Sequence, residues 1–257
     1  MMARIIAVAN QKGGVGKTTT AVNLSASLAA AERRTLLVDM DPQANACSGL
    51  GVDKTEEIST VYNLLLGEVE AGQAIRQTAL EYLQILPSNT DLIGAEIELL
   101  EMPNRNQRLK EVLATISSDY EYIIIDCPPS LGLLTVNSLC AADSVLVPLQ
   151  CEFYAMEGLG QLMQTIRLVQ QELNPNLEIG GILLTMFDQR NNLCHQVSNE
   201  IREHFGPKVF NAVVPRNVRL SEAPSFGQPA LLYDIASRGA QAYMALAEEV
   251  LVGGVHG

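Results

Sequence analysis

Positive charge is scarce in this chain. Only 17 of its 257 residues are Lys or Arg, against 29 Asp or Glu, and the formal net charge of −12 argues against a surface coated for nucleic acid. Long apolar runs are missing too. None approaches the roughly 20 residues that span a bilayer, and the chain enters a strand almost at once without a charged leader, so a cytosolic protein is expected. The five cysteines, at 47, 127, 140, 151 and 194, are odd in number and scattered without a C-x-x-C pair. That excludes a disulfide framework and a zinc site as readings, leaving reduced packing residues. The three histidines form no pair, and no Ser-His-Asp arrangement can be argued. Internal repeats, low-complexity tracts and linkers are also lacking.

Apolar residues are plentiful at 47%, with 18% charged, enough to bury one large core. One domain over 1–257 is therefore expected, with 253–257 ("GGVHG") as a frayed tail. "RIIAVAN" (4–10), "TLLVDMD" (35–41), "LQILPS" (83–88), "YIIIDCPP" (122–129), "SVLVPLQ" (144–150), "IGGILLTMF" (179–187) and "KVFNAVVP" (208–215) are mostly continuous apolar runs. Such runs belong to parallel strands buried on both faces. Helical spacing marks the stretch after Gly16 and 104–117, 155–173, 193–205 and 236–252. Alternation of the two predicts an α/β fold: a doubly wound, mostly parallel sheet flanked by helices, with ligands outside the carboxyl ends of the strands.

Three motifs sit at such ends. "NQKGGVGKTTT" (10–20) departs from the usual Gly-x4-Gly-Lys-Ser/Thr phosphate loop, because Gln11 stands where the first glycine belongs and Lys12 follows it. Gly13, Gly14 and Gly16 let the backbone around Val15 pass close to phosphates. A helix opening near Lys17 adds its positive end. Lys17 is expected on the β/γ-phosphates and Thr18 on Mg²⁺, with Thr19 beside it, making ATP and Mg²⁺ the expected cofactors. In "VDMDPQ", Asp39 and Asp41 would face the same way if the strand stays extended. Beside a triphosphate they either hold Mg²⁺ through water or orient the attacking water, and a strand-end cap before Pro42 is the plainer alternative. "YIIIDCPPS" ends in Asp126, in the form of a Walker-B metal carboxylate.

"KGGVGKTTT", "LLVDMDPQANACSGLG", "YIIIDCPPSLG" and "VVPRNVRLSEAPSFGQP", in this order, closely resemble the ParA/Soj family of partitioning ATPases, within the deviant Walker A (MinD/ParA) group of P-loop proteins. The resemblance covers essentially the whole chain. It implies that Lys12 crosses a dimer interface to the nucleotide of the other subunit, that Asp41 positions the hydrolytic water, and that Asp39 begins the same switch segment on the metal side. Residues 127–132 match the second switch. Pro215 and Asn217 lie where family members contact adenine, and Arg190, Arg216 and Arg219 lie where relatives carry basic residues that touch DNA. The implied partners are a second copy, non-specific DNA and a ParB-like centromere-binding protein, without a membrane. The implied location is the cytoplasm, on the nucleoid when ATP-bound. Ala44 and Cys47 replace the glycine and threonine that relatives often carry.

Charge distribution bears on the DNA expectation. Residues 51–185 hold 6 basic against 19 acidic residues, whereas Arg190, Arg202, Lys208, Arg216, Arg219 and Arg238 gather late in the chain. With so few cations, DNA binding would need two copies to build one stripe; ion pairing of these arginines is the bland alternative. A MinD-like membrane ATPase would need a basic membrane-seeking helix, and no Lys or Arg follows Arg238. An iron–sulfur relative would need bridging cysteines, and an ATP-switch regulator is indistinguishable by sequence.

Overall fold

The computed structural model describes residues 2–52 and 58–253. The tail expected at 253–257 thus falls almost wholly outside the described residues. Among the described residues eight strands form one sheet: β1 (Arg4–Val8), β2 (Thr35–Asp39), β3 (Arg76–Gln77), β4 (Leu83–Leu86), β5 (Tyr122–Asp126), β6 (Ser144–Gln150), β7 (Glu178–Phe187) and β8 (Val209–Pro215). Their order is β3-β4-β2-β5-β1-β6-β7-β8. All pairings are parallel except the short antiparallel edge strand β3 on β4. The apolar runs end earlier than the sequence suggests, at Val8, Asp39, Leu86 and Asp126, because their polar last residues turn into loops.

Around the sheet lie α1 (Lys17–Ala30), α2 (Asn45–Gly49), α3 (Val61–Leu66), α4 (Ala71–Ala74), α5 (Leu92–Glu98), α6 (Arg108–Ala114), α7 (Leu133–Ala141), α8 (Ala155–Glu172), α9 (Asn192–Phe205), α10 (Val218–Glu222), α11 (Ala230–Tyr233) and α12 (Arg238–Leu251). Strand side chains alternate between two cores. Leu36, Val38, Ile123 and Ile125 face one, which also holds Leu159, Leu162, Ile166 and Val169 of α8. Leu37, Ile124, Ile6 and Val8 face the other, against Leu24 and Leu28 of α1 and Tyr243 and Leu246 of α12. Each fully buried isoleucine or leucine contributes about 1.5–3 kcal/mol. A charge at Ile124, wholly buried in the central strand, would therefore break the sheet at its middle.

Topology brings the motifs together. β5 lies between β1 and β2, with Asp126 level with Val8 on one side and Asp39 on the other. The glycine loop, Asp39 and Asp126 thus emerge side by side at one edge of the sheet, as the crevice rule for doubly wound folds requires.

Candidate functional site

The loop between β1 and α1 is pinned from several sides. Asn10 is buried; its amide donates to the Pro148 carbonyl at 2.7 Å, and its Oδ1 accepts the Lys12 N–H at 3.0 Å. The Thr185 hydroxyl donates to the Val15 carbonyl at 2.8 Å. Gly14 and Gly16 sit at φ 74° and 90°, the left-handed region where a Cβ is strained. No side chain caps α1, so its first N–H groups face the loop's concavity.

The two lysines diverge. Lys17 is 7% exposed, its Nζ donates to the Lys12 carbonyl at 2.9 Å, and burial holds its pKa below the ordinary value, opposed by nearby Asp126. Lys12 points outward with its side chain 45% exposed and forms an ion pair with Glu152, just beyond β6. Sequence reasoning passed over Glu152, Asn10 and Thr185. Only Asn10 carried a signal, its place beside the glycines.

The carboxylates differ as sharply. Asp126 is fully buried, and neither oxygen has a hydrogen-bond partner of normal geometry. Burial first, then the charge of Asp39, pushes its pKa well up, while the nearby Thr18 hydroxyl and Lys17 oppose this. Asp39 has both oxygens engaged: Oδ1 accepts the Asp41 N–H at 3.1 Å, and Oδ2 accepts the Cys47 N–H at 3.2 Å and its thiol at 3.3 Å. Burial raises its pKa to about 6. β2 stops at Asp39, two residues short of Asp41, and the turn follows at 42–43. Asp41 is 8% exposed, and its Oδ1 accepts the Gln43 N–H at 2.9 Å. Ala44 adopts φ 51°, the conformation that a glycine there would take freely.

A divalent cation suits Asp126 with Thr18. A buried carboxylate lacking donors gains most from a cation, and Mg²⁺ is held through one or two carboxylates plus phosphate oxygens. Among the described residues no group of three or more His, Cys, Asp or Glu side chains could hold a metal by itself. All five cysteines are buried, and burial pushes the Cys127 thiol up to about 12, so it is a packing residue rather than a reactive one.

The later residues lie at the ends of β7 and β8. Pro215 is level with Phe187, and the Arg216 N–H donates to the Phe187 carbonyl at 3.1 Å. Asn217 caps α10, accepting the Arg219 N–H at 2.8 Å. A cavity of about 870 Å³ is bordered by Phe187, Arg190, Pro215, Arg216 and Arg238. Arg190, 90% exposed, folds onto Asp188 at 3.2 Å. Arg219 is held by Glu222 at 2.8 Å and Asp234 at 3.3 Å, whereas Arg216 has no ion pair among the described residues. The three arginines expected to form a stripe are thus unequal.

A doubly wound parallel sheet whose first strand opens through a glycine loop into a helix, with a buried aspartate on the neighbouring strand, defines a P-loop nucleotide-binding protein. The AAA domain family model matches residues 3–179. The chromosome partitioning protein ParA of Myxococcus xanthus is 60% identical over 248 residues, 96% of this chain and 88% of that protein. The sporulation initiation inhibitor protein Soj of Bacillus subtilis is 55% identical over 253 residues, 98% of this chain and 100% of Soj. Among solved structures, a cobyrinic acid a,c-diamide synthase from Mycobacterium smegmatis with bound ADP and magnesium is 42% identical. It superposes with a TM-score of 0.85 over 97% of this chain and 94% of that one. The chain belongs to the ParA/Soj family of partitioning ATPases. Among the described residues no helix is long and apolar enough to cross a membrane.

Proposed function

We propose that the protein is an Mg²⁺-dependent ATPase that dimerises on ATP, binds DNA without sequence preference in that state, and helps partition a chromosome or plasmid. The divergence of the two lysines supports this reading above all. Lys17 is buried within its own loop, while Lys12 rises from the same loop onto the surface, where a second subunit's nucleotide could meet it.

The loop N–H groups and the start of α1 would bind the phosphates, and Lys17 would neutralise their charge. Thr18 and Asp126 would hold Mg²⁺, which supplies further charge stabilisation when bound. Asp39, engaged by Asp41 and Cys47, shapes the first switch and stands beside the metal position; Asp41 would accept a hydrogen bond from the attacking water and aim it. Lys12 of the partner would stabilise charge developing on the transferred group, a contribution that reaches orders of magnitude in rate. Pro215 and Asn217 would border the adenine.

DNA contact is assigned to Arg190 and Arg216, with Arg219 confined to a supporting role by its two carboxylates. Two copies double these cations, and affinity would fall steeply with salt because it rests on phosphate neutralisation. A ParB-like partner that accelerates hydrolysis suits the acidic middle of the chain. A synthase acting on cobyrinic acid, as the mycobacterial neighbour is named, is the other reading. The partitioning relatives are more similar, at 60% and 55% identity.

Sizing the protein with ATP, ADP and no nucleotide, with and without DNA, tests the proposal. A dimer with ATP alone, which then retains DNA at low salt, is expected. A chain that stays monomeric with ATP would overturn it.

A further inference from the structure

β8 closes one end of the sheet. Among the described residues it pairs with β7 and has no strand on its far side, while the opposite edge belongs to β3, which has only two residues. An edge strand of seven residues presents outward N–H and C=O groups that can template a further strand.

Here those groups are held from within the chain. Successive N–H groups of a regular strand point to opposite sides, but the register of β8 on β7 slips between Ile182 and Leu184, and such an irregularity can turn two neighbours outward together. The N–H groups of Asn211 and Ala212 both donate to Glu249 of α12, at 2.9 and 2.6 Å. The Asn211 side-chain amide adds a third donor at 3.2 Å. From α9, Arg202 donates to the Phe210 carbonyl at 3.2 Å. One anion and one cation thus occupy donors and an acceptor that an incoming strand would use, and Pro215 ends the strand with no N–H to offer.

A groove runs along this edge. Its part near the end of β8 is the cavity of about 870 Å³ that holds Arg190, Arg216 and Arg238; the part toward the start of β8, about 710 Å³, is bordered by Arg202, Glu248 and Glu249, and the two share Ala212 and Ala245. The first end carries three cations and the second two carboxylates with one arginine. Antiparallel two-fold pairing of β8 with the β8 of another copy would lay the arginine end of each groove beside the glutamate end of the other. The edge is therefore complementary to itself in charge, and the small side chains of Ala212 and Ala245 leave room for the approach.

We propose that the outer edge of β8 is a self-pairing surface for a second copy of this chain, independent of nucleotide, and that Glu249, aided by Arg202, keeps it closed. It is distinct from the ATP-dependent face, because the phosphate loop follows β1, which β6 and β7 separate from β8. The inference goes beyond the partitioning reading and does not rest on it.

Sedimentation velocity of the nucleotide-free full chain over a concentration series tests it. Glu249→Ala should self-associate at least about tenfold more tightly than wild type, the scale expected when donors held by a charge are released. Adding Asn211→Pro, at an exposed edge position, removes one of those donors and should restore wild-type behaviour, with circular dichroism checking that the double variant is folded. Hydrogen exchange locates the contact. The Asn211 and Ala212 amides should be slow in wild type, fast in dilute Glu249→Ala, and slow again once that variant associates. A folded Glu249→Ala no more associated than wild type overturns the proposal. So does association that needs ATP, that survives Asn211→Pro, or that leaves these two amides fast. If Glu249→Ala does not fold, Glu249→Gln, which keeps one acceptor oxygen, is read by the same exchange measurement and the same outcomes. Failure of wild type to dimerise on ATP would count against the partitioning reading and leave this inference standing.

Discussion

Replacing Asp126 by Asn should make the nucleotide-free protein more stable while abolishing its response to Mg²⁺–ATP. Asp126 is fully buried, its oxygens have no hydrogen-bond partner of normal geometry among the described residues, and Asp39 stands level with it on the next strand. Removing the charge while keeping the shape relieves an unsatisfied buried ion worth about 1–3 kcal/mol. For a domain of this size that raises the melting temperature by about 3–8 °C. The effect has a pH window. A carboxyl whose folded pKa is raised carries no penalty below its unfolded pKa. The penalty then grows with pH and is complete above the folded value. For Asp39, raised from 3.8 to about 6, it reaches about 3 kcal/mol. The metal-free wild type should therefore lose stability between about pH 4 and 6, and the variant should lose less because one of the two like charges is gone. Differential scanning fluorimetry across that range, with and without Mg²⁺–ATP, measures both arms. A variant that melts below wild type at pH 7.5 without nucleotide, or is still stabilised by Mg²⁺–ATP, would refute the assignment of Asp126 as the metal carboxylate.

Lys12→Ala should bind ATP normally but fail to dimerise, with turnover reduced at least about a hundredfold; normal turnover would remove the trans role. Arg216→Glu should weaken DNA binding at low salt without lowering thermal stability. Arg219→Glu should instead lower the melting temperature, because it sets a third carboxylate beside Glu222 and Asp234. Equal DNA affinity for Arg216→Glu and wild type in an anisotropy titration counts against the assigned surface. Ala44→Gly should raise stability by up to about 1 kcal/mol, since Ala44 holds a left-handed conformation, and chemical denaturation reads this directly.

The three motif-bearing strands were legible because each is a continuous apolar run closed by glycine or aspartate. Their order was not: nothing in "RIIAVAN", "TLLVDMD" or "YIIIDCPP" says that β5 lies between the other two, although that placement brings Asp39 and Asp126 level. The helix α5 and the edge strand β3 lay outside the stretches that periodicity marked. α5 has only seven residues with apolar side chains on two faces, which blurs a helical pattern, and β3 has two, too few to alternate. The roles of Asp39 and Asp41 diverged for a reason no local pattern carries. The chain folds back so that the Cys47 N–H and thiol reach Asp39, while Asp41 accepts the Gln43 N–H within the turn. The arginines show the same limit, since the pairing of Arg219 depends on Asp234, brought close only by the packing of α10 and α11.

Glu152 is the least legible of the site residues, and it makes the nature of the Lys12 side chain testable. The backbone of Lys12 is fixed on both sides, by Asn10 at its N–H and by Lys17 at its carbonyl, so only the side chain can move between Glu152 and a second subunit. A cation that pairs better with a carboxylate should therefore be worse at crossing. Arginine forms bidentate pairs where lysine offers a point charge, so Lys12→Arg, which preserves charge, should still shift ATP-dependent dimerisation to a higher protein concentration. Adding Glu152→Gln should recover part of that shift, because the competing partner is then uncharged. The half-exposed ion pair limits the recovery to about 1 kcal/mol per subunit, roughly fivefold. Light scattering over a concentration series with ATP separates the cases. If Lys12→Arg dimerises as wild type does, Glu152 does not compete for this lysine. If the double variant is no better than Lys12→Arg, the shape of the guanidinium, and not its pairing in its own subunit, is what hinders the crossing.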